Sequence, residues 1–210
     1  MSRAIASIGT GPHERLLRLA ARSFRPYAKR HGYELHLHTE VVDPSRPAPW
    51  SKVKILRNLL ERHDTVVWLD SDLVVVDPRV DIAADVPADR FLALVEHRIG
   101  AARFPNTGVM VLRPDARPFL DEVWAQDDLV DHRWWENAAI CRLLGYELEP
   151  EPHPERETEL GRDHTHWLDP RWNSIPDAPA PHARIRHYPG YKTRTRAAFM
   201  LRDLVVRRRR

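Results

Sequence analysis

Residues 66–72 read Val-Val-Trp-Leu-Asp-Ser-Asp, an apolar run that ends in two carboxylates one residue apart. A strand sends alternate side chains to the same side. Asp70 and Asp72 therefore converge if the backbone stays extended. Carboxylates crowded at a strand end repel one another and are poorly solvated, and a hard divalent cation relieves both costs. Mg²⁺ or Mn²⁺ takes oxygen ligands at ~2.1 Å and keeps positions open for phosphates. A diphosphate held this way is a good leaving group, because the cation spreads the developing charge. The plainer reading is a loop start with two solvated acids.

The chain must carry these groups on a fold of 210 residues, enough for one domain with a real core. A single cysteine, Cys141, excludes a disulfide framework and a cysteine-rich zinc site. Cys141 reads as a buried structural thiol. The opening residues are too polar and too short for a signal peptide. No run approaches the ~20 apolar residues that span a bilayer. The expectation is a cytoplasmic protein. Net charge is +3, a weak field, and nucleic acid is not an expected partner. The charge is uneven, and the chain ends Arg207-Arg208-Arg209-Arg210. Residues 193–210 read as a basic tail, helical over 195–206, following a domain over 1–192. Such a tail suits peripheral contact with an anionic membrane at its inner face, or a phosphate-rich ligand.

Strands are expected over 4–8, 33–38, 65–69, 73–76, 91–95, 108–112 and 185–188. Helices are expected over 13–31 with a kink at Pro26, over 51–63 with Ser51 as its cap, and over 115–125 and 134–144. Residues 147–163 read as an exposed loop, and His164 and His166 as part of a surface loop. Alternating strands and helices argue for a mostly parallel α/β sheet with helices on both faces. Ligands sit beyond the carboxyl ends of such strands, which points at Thr10 and at 70–72.

Taken together, residues 50–54, the aspartate pair, Asn106-Thr107-Gly108-Val109-Met110-Val111, Glu136-Asn137 and His187-Tyr188-Pro189-Gly190 resemble the GT-A glycosyltransferases. The pattern is most similar to family 34, the galactosyl/mannosyl/xylosyltransferase group, and its order also resembles the glycogenin-like retaining enzymes. The resemblance implies a Rossmann-like, nucleotide-diphospho-sugar transferase fold. It implies transfer of a hexose or pentose from a nucleotide diphosphate sugar to a glycan, lipid-linked or small-molecule acceptor, with Mn²⁺ or Mg²⁺ and retention at the anomeric carbon. By the same resemblance, Asp70, Asp72 and His187 hold the metal. Glu136 and Asn137 stand at the reacting sugar, where the family pattern usually has Gln at the second position. Lys52, Ser71, Asn106 and Gly190 join Thr10 and Lys192 around the donor. Ligation needs a neutral imidazole, so binding should weaken on acidification. Aromatic faces suit sugar rings, and Trp135 is the first candidate for an acceptor contact among Trp50, Trp134, Trp135, Trp167 and Trp172. The glycogenin-like families follow the late histidine motif with a Lys-Pro-Trp ending, where this chain has Tyr191-Lys192-Thr193.

Two other classes compete. A haloacid-dehalogenase-like metal-dependent phosphohydrolase would use Asp70 as its nucleophile. A non-catalytic sugar-nucleotide binder would keep the pocket without the chemistry. A nucleotidyltransferase is disfavoured, because no glycine-rich phosphate loop follows the first strand.

Overall fold

The structure, a computed structural model, describes residues 2–207. Strands β1 (Arg3–Ile8), β2 (Glu34–His38) and β3 (Thr65–Leu69) alternate with helices α1 (Glu14–His31) and α2 (Ser51–Leu59). A short strand, β4 (Leu73–Val75), follows β3, and a long hairpin, β5 (Leu92–Ile99) and β6 (Ala102–Leu112), comes next. Then come α3 (Arg117–Trp124), α4 (Trp135–Leu143), β7 (Tyr146–Glu147), β8 (His153–Pro154), β9 (Thr165–Trp167), β10 (Ile185–His187) and α5 (Thr193–Arg207).

The main sheet has the order β2-β1-β3-β6-β5-β9. β1 pairs in parallel with β2 and β3, β5 pairs in parallel with β9, and β6 runs antiparallel to both neighbours. The mostly parallel α/β sheet is therefore present. Its strands are apolar at consecutive positions because both faces are covered. Ala4, Ala6, Val66, Trp68, Met110 and Leu112 point into a core shared with α2, α3 and α4. Ile5, Val67, Leu69, Val109 and Val111 point into a second core with α1, β4, β10 and α5.

Several local expectations are corrected. The hairpin is longer than 91–95 and 108–112, because β5 and β6 run on as a two-stranded extension past a bulge between Leu94 and Val95. That extension carries Glu96, Arg98 and Arg103, whose polarity hid it from an apolar-run criterion. Gly100, at φ 61°, turns it. Residues 165–167, read as loop, form β9 at the sheet edge. The segment 147–163 holds the β7–β8 pair and a buried Leu148. Ser51 does not cap α2: its hydroxyl accepts from Val42 N–H at 3.1 Å, and α2 ends at Leu59. α1, by contrast, ends where expected, at a left-handed Gly32, with Pro26 inside it.

α5 buries Ala197, Met200 and Leu204 against the second core. Asp203, also buried, accepts from Arg186 Nη1 of β10 at 2.7 Å and from the Tyr188 hydroxyl. The acid thus ties α5 to the strand that carries His187. The remainder of the basic run, Arg208, Arg209 and Arg210, lies outside the described residues. Asp203→Ala removes the acceptor from the buried Tyr188 hydroxyl. It should lower unfolding free energy by about 1–3 kcal/mol in a urea titration.

Candidate active site

The carboxyl ends of β1 and β3, the start of α4 and the segment after β10 enclose a cleft of about 830 Å³. Thr10, Lys52, Asp70, Ser71, Asp72, Asn106, Trp135, Glu136, Asn137, His187 and Gly190 all line it. Lys192 does not; it is exposed in the turn before α5.

The two aspartates converge by a different route from extended alternation. The chain turns at Ser71 and Asp72 and re-enters a strand as β4. β4 pairs antiparallel with β10, which sets His187 opposite Leu73, and Tyr188 N–H donates to the Asp72 carbonyl at 3.3 Å. His187 Nε2 then lies 3.3 Å from Asp72 Oδ1 and 3.9 Å from Asp70 Oδ2. One ligand atom from each of Asp70, Asp72 and His187 falls within 4.8 Å of the others.

The imidazole is oriented by an amide relay. His187 Nδ1 lies 2.9 Å from Asn173 Oδ1 and donates to it; Asn173 Nδ2 donates to Asn106 Oδ1 at 2.9 Å. Asn106 Oδ1 also accepts from Gly108 N–H at 2.9 Å. With Nδ1 as donor, the neutral ring turns the lone pair of Nε2 toward the two carboxylates. Asn106 therefore acts through Asn173 on His187. Sequence reading missed Asn173; its only signal is its place before the strand that carries the histidine.

Asp72 is buried, and burial alone would raise its pKa. The adjacent His187, in its protonated form, and Arg196 outweigh burial and hold the carboxyl below the usual range; once the imidazole is neutral, Arg196 remains as the charged partner. Arg196 Nη1, from α5, lies 3.0 Å from Asp72 Oδ2 and 3.1 Å from His13 Nε2. Arg196 was also missed, although it belongs to a stretch whose basic character was plain.

On the other side of the floor, Lys52 Nζ reaches Glu136 Oε1 at 2.6 Å, Asp70 Oδ1 at 3.2 Å and Thr107 Oγ1 at 3.2 Å. Burial works against the ammonium, yet Asp70 and Glu136 together push its pKa up, so Lys52 stays charged. Asp70 Oδ1 also accepts from Trp68 Nε1 at 2.6 Å. Burial raises the Glu136 carboxyl, opposed by Lys52. Glu136 Oε2 is buried and has no hydrogen-bond partner among the described residues. The Asn137 amide is taken up by β6: Oδ1 accepts from Thr107 N–H at 2.9 Å and Nδ2 donates to Pro105 O at 3.4 Å. Trp135 is 41% exposed and held at φ 46°, a left-handed conformation that bulky residues rarely adopt. Trp50 and Trp172 are core, and Trp167 stands edge-on to Tyr146 away from the cleft. Cys141 is buried and burial pushes its thiol far up, as a structural cysteine requires.

Gly108 makes room for the histidine. A Cβ there would sit 2.3 Å from His187 Cε1 and 2.8 Å from Nδ1. Gly108→Ala should displace the ring and weaken Mn²⁺ binding by about 10-fold or more, with far-UV circular dichroism unchanged. Metal titration of both proteins checks this.

Residues 10–96 match the galactosyl transferase GMA12/MNN10 family. Comparison with curated proteins gives no match. Among solved structures, a glycosyltransferase involved in the glycosylation of the major capsid of PBCV-1 superimposes with a TM-score of 0.76 at 17% identity, over 96% of this chain and 100% of that one. Galactosyltransferase LgtC, solved with donor and acceptor sugar analogs, gives 0.63 at 11% identity, over 97% and 95%. Mouse xyloside xylosyltransferase 1 gives 0.52 at 11% identity, over 90% and 98%. The chain has the GT-A fold of these glycosyltransferases, and its resemblance to family 34 rests on the match across residues 10–96.

Proposed function

We propose that this chain transfers a hexose or pentose from a nucleoside diphosphate sugar to an acceptor, with a divalent cation held by Asp70, Asp72 and His187. The observation that carries the reading is the meeting of these three groups at one end of an open cleft of about 830 Å³. The donor set fits the cation: carboxylate oxygens dominate, and an oriented imidazole nitrogen completes it. When bound, Mn²⁺ or Mg²⁺ supplies charge neutralisation for the diphosphate leaving group.

This chain's residues do the rest. Thr10 and Ser71 lie where the nucleoside and diphosphate enter. Arg196 adds a positive charge beside the diphosphate and takes the place expected for Lys192. Glu136, on the cleft wall, faces the donor sugar, with its carboxylate held by Lys52 through Oε1. Asn137, also on the cleft wall, positions Thr107 and β6 beneath the sugar through its amide. Trp135 and Trp134 offer aromatic faces for the acceptor. The acceptor oxygen forms its bond to the anomeric carbon on the face from which the phosphate leaves. The carbon–phosphate-oxygen bond breaks with its electron pair on the diphosphate, which takes the acceptor proton. Retention follows.

The phosphohydrolase alternative is not favoured. Asp70 Oδ1 is engaged by Lys52 and Trp68, and the fold is GT-A. Among the described residues no helix is long and apolar enough to cross a membrane. The basic residues 207–210 suit peripheral docking on an anionic membrane: a chain ending at Val206 should bind anionic liposomes more weakly than the full chain, and unchanged binding would overturn this.

A thermal-unfolding panel of nucleoside diphosphates with and without Mn²⁺ tests the reading. A matching ligand at about 100 times its Kd should add about 2.7 kcal/mol. Asp72→Asn should lose the Mn²⁺-dependent part, together with sugar release from the matching donor. An acylphosphate trapped at Asp70, with no donor turnover, would overturn it.

A further inference from the structure

A second convergence of ligand atoms lies outside the cleft. β2 is the edge strand of the main sheet. Glu34 and His36, two residues apart on it, project to one side. His63 comes from the turn between α2 and β3, with its N–H bonded to the Leu59 carbonyl at 3.0 Å. His36 Nε2 is 3.1 Å from Glu34 Oε1, and His63 Nε2 is 3.9 Å from Glu34 Oε2. One ligand atom from each of the three residues lies within 4.8 Å of the others. The imidazole rings meet at a centroid distance of 5.6 Å and an angle of 69°. None of the three lines the cleft.

Two features separate this cluster from an ordinary surface ion pair. His36 Nε2 is shielded from solvent and makes no hydrogen bond, despite the nearby carboxylate. The His63 ring is locked from behind. Ser2 Oγ lies 2.6 Å from His63 Nδ1 and 3.1 Å from the Arg62 carbonyl; the arrangement that satisfies both contacts has the hydroxyl donating to the carbonyl and accepting from His63 Nδ1–H. Ser2 is itself fixed by its N–H to Asp64 Oδ2 at 2.7 Å. The neutral ring therefore presents the Nε2 lone pair to Glu34 and His36, the outer-shell support that metal-binding histidines show.

We infer that Glu34, His36 and His63 bind one divalent transition-metal ion, zinc by their chemistry, with water completing the shell. Two imidazole nitrogens and one carboxylate suit zinc and not magnesium, whereas the cleft offers two carboxylates and one imidazole. Tetrahedral bonds of ~2.0–2.1 Å put donor atoms roughly 3.3 Å apart, close to the 3.1 Å between His36 Nε2 and Glu34 Oε1, and one donor atom from each of the three residues already lies within 4.8 Å of the others. The ion staples the sheet's edge strand to the chain entering β3.

The test is zinc stoichiometry by equilibrium dialysis of the untagged full chain after chelator treatment. Glu34→Gln with His36→Gln should lose one equivalent of zinc relative to wild type and keep Mn²⁺-dependent nucleoside diphosphate binding. Glu34 is largely exposed, so Glu34→Gln alone, which leaves the fold intact, should weaken zinc binding. Ser2→Ala should weaken it about 10-fold through the freed ring. Asp70→Asn with Asp72→Asn should retain the equivalent. Zinc stoichiometry and affinity unchanged by Glu34→Gln with His36→Gln would overturn the inference, as would a wild-type chain that holds no zinc outside the cleft. Either failure leaves the transferase reading standing, because its nucleotide binding is read separately.

Discussion

Negative charge gathered under a cleft is the constraint around which this molecule is organised. Asp72 and Glu136 are buried and Asp70 is partly so. Carboxylates in such surroundings persist only with partners, because desolvation penalises the ionised form. Lys52 bridges Asp70 and Glu136, and Arg196 covers Asp72. Two cations against three acids leave the floor short of positive charge, with an imidazole lone pair aimed at the gap. In the proposed function, a divalent cation brought in with its diphosphate fills that gap.

Long-range pairing builds the site. Residues 70–72 come from the switch between β3 and β4, and His187 comes from β10, more than a hundred positions later. The short β4–β10 ladder sets their register. α5 locks β10 from outside through Asp203 and places Arg196 over Asp72 from within. The last helix therefore contributes both support and charge, and the amide relay from Gly108 through Asn106 and Asn173 fixes the imidazole.

Much of this was legible because burial on both faces writes strands as plain apolar runs. β1, β3 and β4 stood out, as did the acids that end β3. Motif order, the strand-end rule and aromatic content together pointed to eleven residues that line the cleft. The two-stranded extension of β5 and β6 was hidden by its polar residues, and three-residue β9 by its histidine content. Asn173 had no local signature and Arg196 only that of a basic stretch; their roles exist because distant elements bring them to His187 and Asp72. Lys192, next to a recognisable motif, points elsewhere because the turn into α5 carries it into solvent. Sequence proximity to a motif is a weak guide where a helix one turn later supplies the charge instead.

The account's central claim concerns one cation and three ligands. Anomalous scattering from a crystal grown with Mn²⁺ and a nucleoside diphosphate tests it most directly. The account predicts a single peak in the cleft bonded to Asp70, Asp72 and His187 Nε2, with diphosphate oxygens completing the shell. Nucleotide bound in the cleft with no manganese at those residues, or manganese ligated without His187, would contradict it.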